Sequence, residues 1–245
     1  MNFRLLEAFD ATSDPIAEES ALLDRLSQPV ARLWQAPLSL VVPRNYCTHP
    51  GFDAVRARFA AEVCPVHVRP SGGGLVPQGP GILNLSLAYT VAAGVAVRPE
   101  PVYLHLCELL RAPLAALGVP THWQEVEGSF CDGRFNLACG DGAQARKIAG
   151  TAQYWRRLRG DGPAPGHYAV LAHAVLLVDV DLEAAHERAN AFEQALGTGR
   201  RYRVDRTTSV ARMLGVSGGE YFRAELRQRL GDAVSRAQPP VLGAK

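Results

Sequence analysis

The sequence predicts an α+β fold, a mixed β-sheet flanked by helices. Three observations carry this. Apolar residues recur at helical spacing in some segments and alternate in others. The two kinds are intermixed without the strict strand–helix rhythm of a parallel sheet. The stretch HYAVLAHAVLLVDVD (His167–Asp181) is almost continuously apolar, as a strand buried on both faces of a sheet would be.

The elements follow in order. A helix is expected to start after Ser13 or Asp14 with Pro15 in its first turn, and Ile16, Leu22, Leu23 and Leu26 keep a helical spacing. ARLW and LSLVV read as two short strands joined by a turn at Ala36-Pro37. A helix is expected over Asp53–Val63. In PVHVR (Pro65–Arg69), Val66 and Val68 alternate with His67 and Arg69, a strand pattern. It runs into Gly72, Gly73 and Gly74, which suit neither helix nor strand and make a loop that can approach a ligand closely. ILNLSLAYTV is a strand, and Glu100–Leu117 a helix with a bend at Pro113. FNLAC and ARKIAG flank GDGAQ, a hairpin turn. After the long apolar strand come helices at Leu182–Leu196 and Gly219–Ala237, separated by the basic run GRRYRVDRTTSVARMLG.

The chain has 245 residues, 47% of them hydrophobic, enough for a substantial core. It reads as one domain over 1–245, its part 182–245 helical and without a separate accessory domain. Charged residues make up 20% and the formal net charge is +2, which gives no general reason for nucleic-acid or membrane partners. The start, MNFRLLEAFDATSDP, lacks the features of a signal peptide, and no apolar run reaches the ~18 residues of a membrane span. The five cysteines form no C-x-x-C pair, so neither a disulfide framework nor a zinc site is indicated. A reducing, cytoplasmic location with free thiols is the expectation.

The chemistry concentrates in GSFCDGRFNLACGDGAQARKIAGTAQ (Gly128–Gln153). A hairpin centred near Gly142 would bring Cys131 opposite Gln153, and would leave Lys147 roughly 20 Å from that open end if both strands ran straight. A bend at Gly133 or Gly150 would fold the Cys131 loop back towards Lys147. The ammonium would then favour the reactive thiolate.

Two motifs carry a family resemblance. RPSGGGLVPQGPGILNLSL resembles the R-x-[ST]-G-G-G…G-x-L-N signature of lipoate–protein ligases and octanoyltransferases, and KIAGTAQ resembles their K-x-x-G-x-[AS]-Q motif. Over roughly Asp14–Asp181 the chain is similar to that family, whose catalytic-domain fold is shared with biotin ligases. GSFCDGRFNL is similar to the cysteine segment of the octanoyl amidotransferase branch. The resemblance implies catalytic roles for Cys131 and Lys147, the lysine stabilising an acyl oxygen. It implies acyl or substrate binding by Arg69, Ser71, Gly72, Gly73, Gly74, Asn84, Gly150, Gln153 and His173, with no metal ligands. The substrate would be an octanoyl or lipoyl group, and no cofactor is firmly implied. Partners would be lipoyl-domain proteins, the E2 subunits of 2-oxoacid dehydrogenases and the glycine-cleavage H protein, as donor or acceptor.

Three functions stay open on these residues. One is transfer of the acyl group from a carrier through a Cys131 thioester. Another is an ATP-dependent ligase acting through lipoyl-adenylate with Mg²⁺. Val68-Arg69 in place of paired arginines, and Gln78-Gly79 in place of His-Asp, count against that branch. The last is a non-catalytic acyl- or carrier-binding protein. His173 reads equally as a satisfied core histidine or a site residue. Cys47, Cys64, Cys107 and Cys139 read as structural, and Arg146 as solvent-facing. YWRRLR (Tyr154–Arg159) and GRRYR (Gly199–Arg203) read as solvated faces or as docking patches for an acidic carrier.

Overall fold

The computed structural model describes residues 1–9, 14–24, 26–92, 99–158 and 167–242. Ser13 and Arg159 lie outside them. Among the described residues, ten strands β1–β10 form two sheets. The larger contains β1 (Arg4–Leu6), β2 (Val30–Trp34), β6 (Ile82–Val91), β7 (His122–Trp123), β8 (Leu137–Cys139), β9 (Arg146–Arg157) and β10 (Tyr168–Leu177). Their spatial order is β1-β2-β6-β10-β9-β8-β7. The β1–β2 pair is parallel and the rest antiparallel, so the sheet is mixed. β10 is central, as its apolar run requires.

The smaller sheet adds a layer that the sequence reading, with its single sheet, does not contain. It holds β3 (Ser39–Pro43), β4 (Val66–Arg69) and β5 (Val76–Gln78), in the order β4-β3-β5. Strands this short carry too few residues to signal which sheet they join.

Helices cover the outer faces. α3 (Pro99–Ala116) and α6 (Glu220–Arg236) pack on the large sheet, where Leu83, Leu85 and Leu87 of β6 and Val170, Ala172 and Ala174 of β10 meet Leu106, Leu110 and Leu230. α2 (Phe52–Ala61) and α4 (Leu182–Leu196) pack on the small sheet through Phe59, Phe192, Leu40 and Val42. Alternation along each strand leaves a second face free. The inward faces of the two sheets look at each other across a cavity, and α1 (Pro15–Ala21) closes one side. Asp14 caps α1, accepting from the amides of Ile16 and Ala17, with Pro15 first in the helix as expected. α5 (Val210–Leu214) lies between α4 and α6 within the basic run. Among the described residues no helix is long and apolar enough to cross a membrane.

Candidate active site

The space between the sheets amounts to about 780 Å³, part of it open to solvent. Its walls are largely apolar, among them Ile16, Val41, Val76, Leu171, Val175 and Leu177. Lys147, Cys131 and Arg69 line it towards one end, the Lys147 Nζ beside Gly150, and Glu19 and His173 line it further along, where His173 pairs with Ala152.

A bulge in β9 builds the Lys147 end. Ala138 pairs with Lys147 but Leu137 with Ala149, so Ile148 is an extra residue on β9. A bulge reverses the alternation of faces. Ile148 and Ala149 both join the core under α3, while Lys147 and Gly150 both line the cavity. This explains how K-x-x-G, a spacing of three, works on a strand. Glycine at 150 leaves the ammonium its place, since a Cβ there would lie 2.7 Å from the Lys147 Nζ and displace it.

Lys147 is only 4% exposed. Its ammonium donates to the carbonyls of Phe130 and of Cys131, the latter at 2.9 Å. An ammonium has three donors, so one remains for the cavity. Burial pulls its pKa from the ordinary lysine value down to about 8, against the charges of Cys131 and Asp132, which favour the ammonium.

The Cys131 loop does fold back, but not by the route the straight hairpin suggests. β8 begins only at Leu137, and the preceding segment leaves the sheet. Cys131 adopts φ 47°, a left-handed conformation that a side chain makes costly. Its carbonyl takes donors from Gly133 N at 2.8 Å, Asn136 Nδ2 at 3.0 Å and Lys147, which hold the turn. The sulfur then points at the glycine loop. It accepts the Gly74 N–H at 3.3 Å and lies 3.9 Å from Arg69 Nη2. A Cβ on Gly73 would come within 2.5 Å of it, and Gly73 has φ +103°, so only glycine fits.

Arg69 is buried and acts chiefly inside the loop. Its guanidinium donates to Gly72 O at 3.0 Å and Gly74 O at 2.7 Å. This curls the glycines outward, so Gly73 and Gly74 face an outer groove and not the acyl cavity, and Gly72 is exposed. Ser71 and Gly150 do line the cavity. Asn84 does not. It exchanges amide hydrogen bonds with Gln78 at 2.8 and 2.9 Å, and Gln78 is the one that faces the cavity. Gln153 lines the cavity too, but its amide donates to Pro99 O at 2.8 Å and it does not meet Cys131.

His173 resolves as a cavity residue, half-buried, with Nδ1 against the Glu19 carboxylate. Glu19 also accepts from Ser86 Oγ, which in turn accepts from Trp34 Nε1 at 2.8 Å. His173 is paired with Ala152, two residues along β9 from Gly150, beside which the Lys147 Nζ lies. Its hydrogen-bond partners are Glu19 and Ser86, not Cys131. Glu19 carries no local signal, because Glu18-Glu19 are adjacent and only α1's rotation turns Glu19 inward. Gln78 and Asn136 were likewise unmarked.

Cys64, Cys107 and Cys139 are buried as expected, and burial raises all three thiols, Cys107 to about 12 and Cys139 to about 11. Cys47 differs from its structural reading and is exposed. Arg146 is exposed, as its place on the opposite face requires. Among the described residues no group of three or more His, Cys, Asp or Glu side chains is placed to hold a metal ion.

Three comparisons bear on this site. The model of the lipoyl protein ligase A/B catalytic domain matches residues 13–233. An uncharacterized protein of Cupriavidus necator is 51% identical, over 98% of this chain and 100% of its own length. An octanoyl-[GcvH]:protein N-octanoyltransferase of Kyrpidia tusciae is 36% identical, over 84% of this chain and 70% of its own length. Among solved structures, a bi-partite lipoate protein ligase from Thermoplasma acidophilum, studied with its E2 lipoyl domain, superposes with TM-score 0.64 at 19% identity. That match covers 95% of this chain and 84% of the other.

Proposed function

We propose, since this chain belongs to the lipoyl protein ligase A/B catalytic-domain family and is an acyltransferase of it, that it moves an octanoyl group between lipoyl-domain proteins through a thioester on Cys131. The observation that carries this is the sulfur itself. It sits at the mouth of an apolar cavity and receives the Gly74 N–H, with the Lys147 ammonium one peptide away. The Kyrpidia tusciae relative's name, octanoyl transfer from GcvH to protein, supports the donor and the acyl group. The lipoyl domain studied with the Thermoplasma acidophilum ligase supports the class of acceptor. The cavity would hold the acyl chain, its tail towards Glu19 and His173.

The Cys131 thiolate attacks the carbonyl carbon of the donor's octanoyl-lysine amide. The C–S bond forms and negative charge moves to the carbonyl oxygen, where the remaining Lys147 N–H stabilises it. Collapse breaks the C–N bond, and the departing lysine nitrogen takes up a proton. The free amine of the acceptor lysine then attacks the thioester. The C–N bond forms, the C–S bond breaks, and the amine gives up one proton. The proton consumed in the first half is returned in the second, and the thiolate is regenerated. Residues 1–245 act as one catalytic unit in this reading, since Val210, Leu226 and Leu230 of the helical part share the core of β6 and β10.

The test is an ATP-free incubation with octanoylated H protein, followed by peptide mass analysis. An octanoyl adduct on the Cys131 peptide, discharged by an apo lipoyl domain, is the expected result. Transfer only with ATP and free acid would mean the ligase reaction instead. Binding without turnover under either condition would mean a carrier-binding protein.

A further inference from the structure

Cys131 belongs to two cavities. One is the acyl cavity between the sheets. The other is an outer groove lined by Gly73, Gly74, Gly128, Asp132 and four arginines, Arg200, Arg201, Arg203 and Arg206. Among the described residues, Cys131 is the one lining both. The thiol is therefore a partition, with an apolar chamber on one side and a basic groove on the other.

The basic wall is built, not merely a charged loop. Asn190 of α4 clamps it, donating to Tyr202 O at 2.9 Å and accepting Tyr202 N–H at 2.7 Å. Glu193, fully buried, accepts from the hydroxyls of Tyr46 at 2.7 Å and of Tyr202 and Thr198 at 2.6 Å each. A buried carboxylate is tolerated only with such partners. Tyr46 in turn holds Arg200, whose Nη1 donates to its hydroxyl at 3.2 Å and whose guanidinium stacks over its ring. The wall is also tied to the nucleophile's loop. Arg203 N–H donates to Gly128 O at 2.8 Å, and Arg206 spans Glu127 O at 3.1 Å and Ala143 O at 2.7 Å. Arg201 and Arg203 are exposed, Arg203 paired with the equally exposed Asp205 at 2.6 Å.

We infer that this arginine groove is the docking site for an acidic face of the acyl-carrier domain, whose lysine arm reaches Cys131 from the groove side. The inference rests on the reading proposed above and names its docking surface. The groove's four arginines still outnumber the three nearby acids, Glu127 and Asp132 in its lining and Asp205 paired with Arg203, so the complementary partner is acidic. The same field makes a lysine ammonium uncomfortable there, which favours the free amine that must attack the thioester. The basic segment at 154–157 has no such placement. Arg156 pairs with Asp24 at 2.8 Å, and Arg157 pairs with Tyr168, at the end of β9 away from Lys147.

The experiment titrates the protein with octanoylated H protein at low and high salt and reads Kd. The variants are Arg201→Glu/Arg203→Glu and, as control, Arg157→Glu, each checked for unchanged Tm. The double reversal is expected to weaken binding by roughly tenfold or more at low salt, with the difference collapsing at high salt. Arg157→Glu should stay within about twofold of wild type. Binding of the double variant within about twofold of wild type at low salt overturns the inference, as does an equal loss in Arg157→Glu. Failure of the proposed function reads out elsewhere, as no octanoyl adduct on wild-type Cys131 from a small octanoyl thioester. The two failures are thus distinct.

Discussion

The two ends of the cavity are built by different means. At the Cys131 end, backbone groups do the work. Gly74 N–H faces the sulfur, and the carbonyls of Phe130 and Cys131 hold the Lys147 ammonium. At the far end, side chains from α1, β2, β6 and β10 make a closed chain, Trp34 to Ser86 to Glu19 to His173. Backbone contacts need glycine and special dihedrals, so that end leaves motifs in the sequence. Side-chain networks leave only scattered residues. The same division separates chemistry from fit: the first end holds reacting groups, and the second can only shape what lies against it.

The sharpest way to break this comparison is at the thiol. Cys131→Ser keeps the shape of the loop but replaces a thiolate with a hydroxyl that is almost never ionised. Transfer from octanoylated H protein should fall by at least about 10³-fold, read as kcat. A variant with full transfer would leave the Cys131 end without its distinguishing role.

Lys147→Met should come next, lowering kcat by about 10²- to 10³-fold, the usual effect of one lost oxyanion donor. It carries a pH signature as well. With its pKa near 8, Lys147 loses its charge as pH rises through that value, so the wild-type rate should fall on the alkaline side and the variant should lack that limb. Stability runs the other way. Between about pH 8 and the ordinary lysine value the unfolded chain holds the extra proton, so this group makes the fold more stable as pH rises there. Urea titrations at pH 7 and 9.5 should show that gain in wild type and not in Lys147→Met.

Legibility in the sequence followed the same line. The α+β class, the central strand at β10 and helix α4 at Leu182–Leu196 could be read directly, because long apolar runs and a capped amphipathic helix are local signals. The K-x-x-G and S-G-G-G segments marked the Cys131 end. Three things were out of reach. The small sheet depends on strands of three to five residues whose partner is decided by packing. The β9 bulge, which turns Lys147 and Gly150 to one side, leaves no local trace beyond the spacing itself. Asn84 belongs to the motif yet acts one step back, through Gln78, a distinction set by which way two buried amides face.

Gly73→Ala tests how tightly the backbone end is fitted. The added methyl would meet the sulfur at 2.5 Å and force a side chain into φ +103°. The strain alone is of order 1–3 kcal/mol, and the loop should shift to relieve it. Transfer should drop by roughly 10- to 100-fold, the scale on which a displaced reacting group is felt. Tm should fall by a few degrees. An active Gly73→Ala with unchanged Tm would mean that the glycine loop is not packed on the thiol.

The smallest effect is expected at the far end, and it should differ in kind. Glu19→Gln keeps an acceptor for Ser86 and for the His173 ring but removes the carboxylate charge from the cavity floor. Neither Glu19 nor His173 bonds the Cys131 sulfur or the Lys147 ammonium, whose partners are Gly74 N–H and the carbonyls of Phe130 and Cys131. The rate of Cys131 acylation with octanoyl donors should therefore stay within about threefold. What should move is discrimination along the acyl tail. A floor made less polar should favour a plain alkyl end over one bearing polar atoms, changing the ratio of kcat/KM for two such donors by roughly tenfold, the range that one pocket contact commands. Competition between an octanoyl and an 8-hydroxyoctanoyl donor, read by mass on Cys131, measures that ratio directly. A Glu19→Gln variant that lost acylation of both donors equally would place Glu19 in the chemistry, and the separation of the two ends would fail.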